Sequence, residues 1–105
     1  MFHQAIKLVI IAEHFIIDDV CRIVESHHAK GYTLVRAGGK GRHHFHSTSD
    51  RATLIEGFDN LKVEVVTHDR KLAEAIAEDV LAQCFQDYSG VMYLENVEIC
   101  RPELF

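Results

Sequence analysis

The chain writes one pattern twice. "KLVIIA" at residues 7–12 and "KVEVVT" at residues 62–67 are short runs dominated by Ile, Val and Leu. Such runs are too short for a typical helix and rich in β-branched residues, so each reads as a strand, the first spanning Ala5–Ala12 and the second 61–67. A helical pattern follows each. From His14 to His28, Ile16, Val20, Ile23 and Val24 recur on one side while Asp18, Asp19, Arg22 and Glu25 face away. From Asp69 to Phe85 the stripe is Leu72, Ala73, Ile76, Ala77, Val80 and Cys84. A further strand closes each half, "YTLVRA" at 32–37 after Gly31 stops the first helix, and "VMYLENVEI" at 91–99. The order predicts an α+β, ferredoxin-like βαββαβ sandwich: one domain over residues 1–105, an antiparallel sheet, and both helices on one face. The face without helices would carry Ile, Val and Tyr, relieved by Lys62, Glu64 and Glu98, and a surface of that kind marks an oligomer interface.

Between the halves, residues 38–57 form a polar, glycine-bearing connection longer than the roughly 12–15 residues that compact domains tolerate without function. Charge is segregated there. From Lys30 to Arg51 five cations (Lys30, Arg36, Lys40, Arg42, Arg51) meet one acid, Asp50, so this window is +4 in a chain of net charge -5 and the remainder is -9. A local anion site fits this better than a generally basic protein, and the overall acidity argues against nucleic acid as a partner. No apolar run is long enough to span a bilayer and the first residues lack the form of a signal peptide, so a cytoplasmic protein is expected. The three cysteines, Cys21, Cys84 and Cys100, have no C-x-x-C spacing. Cys21 and Cys84 fall on apolar helix stripes and read as buried hydrophobes.

The glycine-rich stretch holds most of the candidate chemistry. Gly38, Gly39 and Gly41 around Lys40 let backbone N–H groups approach a ligand and form a concave anion site, with Lys40 and Arg42 adding charge. His43, His44 and His46 are open to three readings: metal ligands, protonated anion contacts, or solvated loop residues. His27 and His28 read as surface residues complementing a helix C-terminus, and Asp18-Asp19 as a solvated helix pair. No nucleophile–base arrangement stands out, so an enzyme is not expected. Phe45, Leu54, Ile55 and Phe58 give the connection more apolar side chains than a solvated linker needs, which suits a segment that orders on a partner.

"AKGYTLVRAGGKGR" (29–42), a long loop, and "FQDYSGVMYL" (85–94), in that order on this pattern, resemble the PII signalling proteins, and within them the SbtB-like branch linked to inorganic-carbon uptake and carboxysome operons. The resemblance covers nearly the whole chain. It implies a homotrimer with a T-loop at 38–57 and adenine-nucleotide sites in the three clefts between subunits. In that branch the ligands are AMP, ADP, ATP or cyclic AMP, with bicarbonate associated with the carboxysome-linked members. Carried over position by position, Gly38, Gly39, Lys40, Gly41 and Arg42 form the T-loop base beside the phosphate. Ser89 and Gly90, with Tyr88 and Val91, fall on the segment cradling phosphate from the adjacent subunit, and Arg101 on the C-terminal arginine that closes the site.

Three departures matter. No tyrosine lies between Gly38 and Gly57, so uridylylation there is excluded; Val91 stands where a polyphosphate-holding lysine is found; and His43 and His46 replace arginines, while "ICRPELF" offers Cys100 alone where the branch has a two-cysteine hairpin. The expected function is a non-enzymatic nucleotide sensor that regulates bicarbonate uptake or carboxysome function. Its T-loop would meet a transporter or carboxysome-associated partner, with any membrane association through that partner. The rival expectation is a metal-responsive trimer similar to the CutA-type proteins, relying on the loop histidines.

Overall fold

A computed structural model of the protein describes residues 1–38 and 60–105. Among these residues four strands and two helices follow the expected order: β1 (His3–Glu13), α1 (Ile17–Ser26), β2 (Thr33–Ala37), β3 (Asn60–Thr67), α2 (Arg70–Gln83) and β4 (Gly90–Ile99). The sheet runs β2-β3-β1-β4 with every neighbouring pair antiparallel. This is the ferredoxin-like α+β sandwich.

Strand register explains which residues meet. Directly opposed residues in an antiparallel pair share a face, and Leu8 opposes Val65 and Leu94 while Ile10 opposes Val63 and Met92. These residues turn toward the helices and join Val20, Val24, Ala73, Ile76, Val80, Cys21 and Cys84 in one apolar cluster. Each fully buried Val, Leu or Ile there contributes about 1.5–3 kcal/mol of transfer free energy. Both buried cysteines are free and behave as small hydrophobes, burial pushing each thiol pKa up.

Several boundaries differ from the sequence expectation, each for a local reason. β1 extends beyond Ala5–Ala12 because His3 pairs with Ile99 and Glu13 with Asn60. His14–Ile16 forms a 3-10 turn before α1 begins. Gly31 does not stop the helix. That role falls to His28, whose φ of 61° takes the left-handed conformation after Ser26 and His27. At the start of α2, Asp69 caps the helix by accepting from the Lys71 N–H at 2.9 Å. His27 is also not a solvated surface group: its Nε2 lies 2.6 Å from Asp79 Oδ2 and ties α1 to α2. Asp18 and Asp19 are exposed as expected, Asp19 pairing with Arg22.

The helix-free face mixes apolar and charged groups. Val9 and Ile11 share it with Val91 and Tyr93. At its centre Lys7 Nζ lies 3.4 Å from both Glu64 and Glu95, and Lys62 3.5 Å from Glu64. Burial pulls the Lys7 pKa down, but Glu64 and Glu95 outweigh it and hold it above the ordinary value. Glu98 departs from expectation. It opposes Gln4 on the helix side of the sheet, at an end where both are exposed.

Candidate functional site

The sheet brings two of the expected site segments to one rim. Gly38 follows the last residue of β2, and Ala37 pairs with Asn60, Asn60 with Glu13, and Gly90 with Ala12. Gly38 and the Ser89–Gly90 segment therefore flank one end of the sheet. At about 4.8 Å per strand they stand roughly 14 Å apart, with β3 and β1 between them. Gly39, Lys40, Gly41, Arg42, His43 and His46 lie outside the described residues, as does the T-loop expected at 38–57 apart from Gly38.

The segment before β4 is shaped by aromatic packing. Tyr88 is partly exposed and meets Phe15 edge-to-face at 5.1 Å between ring centroids. Phe15 in turn meets His14 at 5.7 Å. Gly90 sits against the ring of Phe85, where any Cβ would collide with it. A side chain at this position could be accommodated only if the Phe85 ring moved. Val91 projects from the helix-free face and is half exposed.

Arg101 lies elsewhere. β4 is ten residues long, so its far end is about 30 Å from Gly90. Arg101 adopts a left-handed conformation (φ 57°), and the chain then turns through Pro102–Leu104 back across the sheet end. Lys30 donates to the Glu103 carbonyl at 3.3 Å and His68 to the Pro102 carbonyl at 3.1 Å. The turn leaves Leu104 and Phe105 over a cavity of about 270 Å³, walled otherwise by Gly31, Tyr32, Thr33, Glu64 and Val66. This cavity was not visible in the sequence, because no motif joins β2, β3 and the C-terminal turn. The Thr33–Glu64 pairing that creates its floor is a matter of register. Tyr32 is fixed by donating to Glu25 at 2.8 Å; that bond and its contact with Cys21 push its pKa above the ordinary range.

Within one chain, then, Gly38 and Ser89–Gly90 share a rim, and Arg101 with the cavity occupies the opposite one. Among the described residues no three His, Cys, Asp or Glu side chains gather to hold a metal. No described helix is long and apolar enough to cross a membrane.

The profile of the nitrogen regulatory protein P-II family matches residues 5–104. The chain belongs to the P-II family. Solved structures agree on the fold. A PII-like signaling protein of Thermus thermophilus is 25% identical, with 97% of this chain and 95% of that one covered and a TM-score of 0.75. CPII of Thiomonas intermedia, a nitrogen regulatory PII-like protein solved with ADP, AMP and bicarbonate, is 22% identical over 100% of both chains, with a TM-score of 0.75. The same protein bound to ADP, AMP and acetate is 23% identical over 100% of this chain and 97% of that one, at a TM-score of 0.78.

Proposed function

We propose that this P-II protein is a cytoplasmic, non-enzymatic sensor of adenine nucleotides that regulates inorganic-carbon uptake or carboxysome function as a homotrimer. The observation that carries the reading is the separation of the two rims. Of the phosphate-binding candidates, Gly38 and Tyr88 to Val91 are at one end of a chain and Arg101 is at the other, so a complete site requires a second copy. A ring of copies places the cavity and Arg101 of one beside the glycine rim of the next. The cavity at Thr33, Glu64 and Val66 has room for a base, and the glycine backbone for phosphates. CPII, bound to ADP, AMP and bicarbonate, supports both the ligand class and the link to inorganic carbon. The nucleotide acts by population shift, favouring one arrangement of the 38–57 segment over others and so setting what a transporter or carboxysome-associated partner meets.

Sedimentation together with isothermal titration of AMP, ADP, ATP, cyclic AMP and bicarbonate tests this reading. The expected result is a trimer that binds at least one adenine nucleotide per chain. A stable monomer, or a trimer blind to all of the nucleotides, overturns it. Zinc in the same series tests the rival use of His43, His44 and His46. Deleting 44–54 is expected to leave the trimer and much of the nucleotide binding intact while abolishing capture of the partner.

A further inference from the structure

The C-terminal turn is held more firmly than its packing explains. Among the described residues neither Leu104 nor Phe105 joins the apolar core, and Leu104 is half exposed. Yet the turn is fixed from two sides. Lys30, between α1 and β2, donates to the Glu103 carbonyl, and His68, just after β3, to the Pro102 carbonyl. Within the turn the N–H groups of Leu104 and Phe105 donate to the carbonyls of Arg101 and Pro102, each at 3.1 Å. Arg101, where the turn begins, holds the left-handed conformation at φ 57°. A residue other than glycine keeps that conformation only where its surroundings enforce it. What these bonds secure is the placement of Leu104 and Phe105 against the cavity.

We propose that the turn at 101–105 is a wall of the base site, Phe105 giving its ring to one face of the adenine and so setting Arg101, on the same turn, for the phosphates. The inference rests on the nucleotide reading above. Tyr32, Val66, Leu104 and Phe105 give the cavity apolar surface, and Thr33 and Glu64 add two polar side chains. A flat heterocycle with apolar faces and polar edges matches that lining. Glu64 is already ion-paired with Lys7 and Lys62, so its charge is compensated, and a neutral base enters at lower cost than a charged group. An aromatic side chain gains by stacking on any nucleobase, because each has a π face. Phe105 therefore supplies affinity for the base. A base that stacks on Phe105 also holds the turn, and the turn carries Arg101.

Titration of adenosine, ADP and pyrophosphate into the native oligomer and its Phe105 variants tests it. Phe105→Ala is expected to weaken adenosine and ADP at least about fivefold. The chain contains no tryptophan, so Phe105→Trp keeps an aromatic ring and places a single reporter on the turn. Its emission is expected to change with adenosine and ADP and to ignore pyrophosphate. Combining Phe105→Ala with Arg101→Gln is expected to cost ADP less than the two single losses together, since each interrupts the same closure. Denaturation midpoints confirm that the variants are folded, and the emission of Phe105→Trp decides the matter without the truncation. Adenosine and ADP that bind Phe105→Ala as tightly as the native protein, or more tightly, overturn the wall and leave the nucleotide reading standing. An emission blind to bound adenosine, or changed equally by pyrophosphate, does the same. Additive losses overturn the link to Arg101. ADP that fails to bind the native protein removes both proposals.

Discussion

The ring of Phe85 occupies the space that a side chain on Gly90 would need. Phe85 packs on the margin of the apolar core and Gly90 opens β4, so the phosphate-binding candidate and the core share one contact. Gly90→Ala is expected to displace Phe85 and cost about 1–3 kcal/mol, in the manner of an overpacked core. Equilibrium denaturation reads this directly. Phe85→Leu in the same protein should recover part of the loss, and a Gly90→Ala midpoint equal to that of the native chain would contradict the close packing.

Element order is legible in the sequence because the apolar period changes from strand to helix twice, once in each half. What stays hidden depends on pairs distant in the chain. His27 reads as a solvated helix end because nothing near it in sequence announces Asp79, 52 residues on. Gly31 reads as the helix stop because glycine is the usual left-handed residue, yet His28 takes that conformation. Glu98 reads as a residue of the wrong face because an alternating strand reveals its two sides and register decides which is which. The cavity requires the C-terminal turn to cross the sheet, a path no local pattern records.

The His27–Asp79 bond joins the two helices at 2.6 Å, with the imidazole side chain 22% exposed. A hydrogen bond of this kind contributes about 0.5–1.5 kcal/mol. A double-mutant cycle with His27→Ala and Asp79→Ala is expected to return a coupling in that range. Additive single substitutions would show that the helices dock without it.

Alkaline conditions should destabilise the fold through Tyr32. Its folded pKa is raised above the ordinary 10.0, chiefly by donation to Glu25 and then by Cys21. A group with a raised folded pKa contributes stability that is fully present below the ordinary value and lost as pH climbs toward the folded one. Lys7, also raised, acts in the same direction. Urea midpoints measured at about pH 8, below this window, and at about pH 11, inside it, read the loss. The native protein is expected to lose more over it than Tyr32→Phe, and equal losses would remove Tyr32 from the account.

Val91 stands on the helix-free face where a lysine would offer charge to a polyphosphate. A charge-assisted phosphate contact is worth about 1.5–3 kcal/mol, tenfold or more in affinity. Without magnesium, ATP is therefore expected to hold little advantage over AMP, and Val91→Lys to create one. Titration of both nucleotides in EDTA checks this, and an ATP preference of about a hundredfold in the native protein would contradict it.

The central claim is that each nucleotide site is built from the glycine rim of one copy and the Arg101 end of the next. Mixed oligomers test it most directly. Ser89→Asp repels phosphate at one rim and Arg101→Glu at the other, and each variant alone is expected to lose ADP binding. When the two are unfolded together in equal amounts and reassembled, an undamaged rim meets an undamaged Arg101 at about one junction in four. The predicted result is recovery of about a quarter of the native ADP capacity, with native affinity at those sites. No recovery in a properly assembled mixture would place both residues in a site within a single chain and contradict the account.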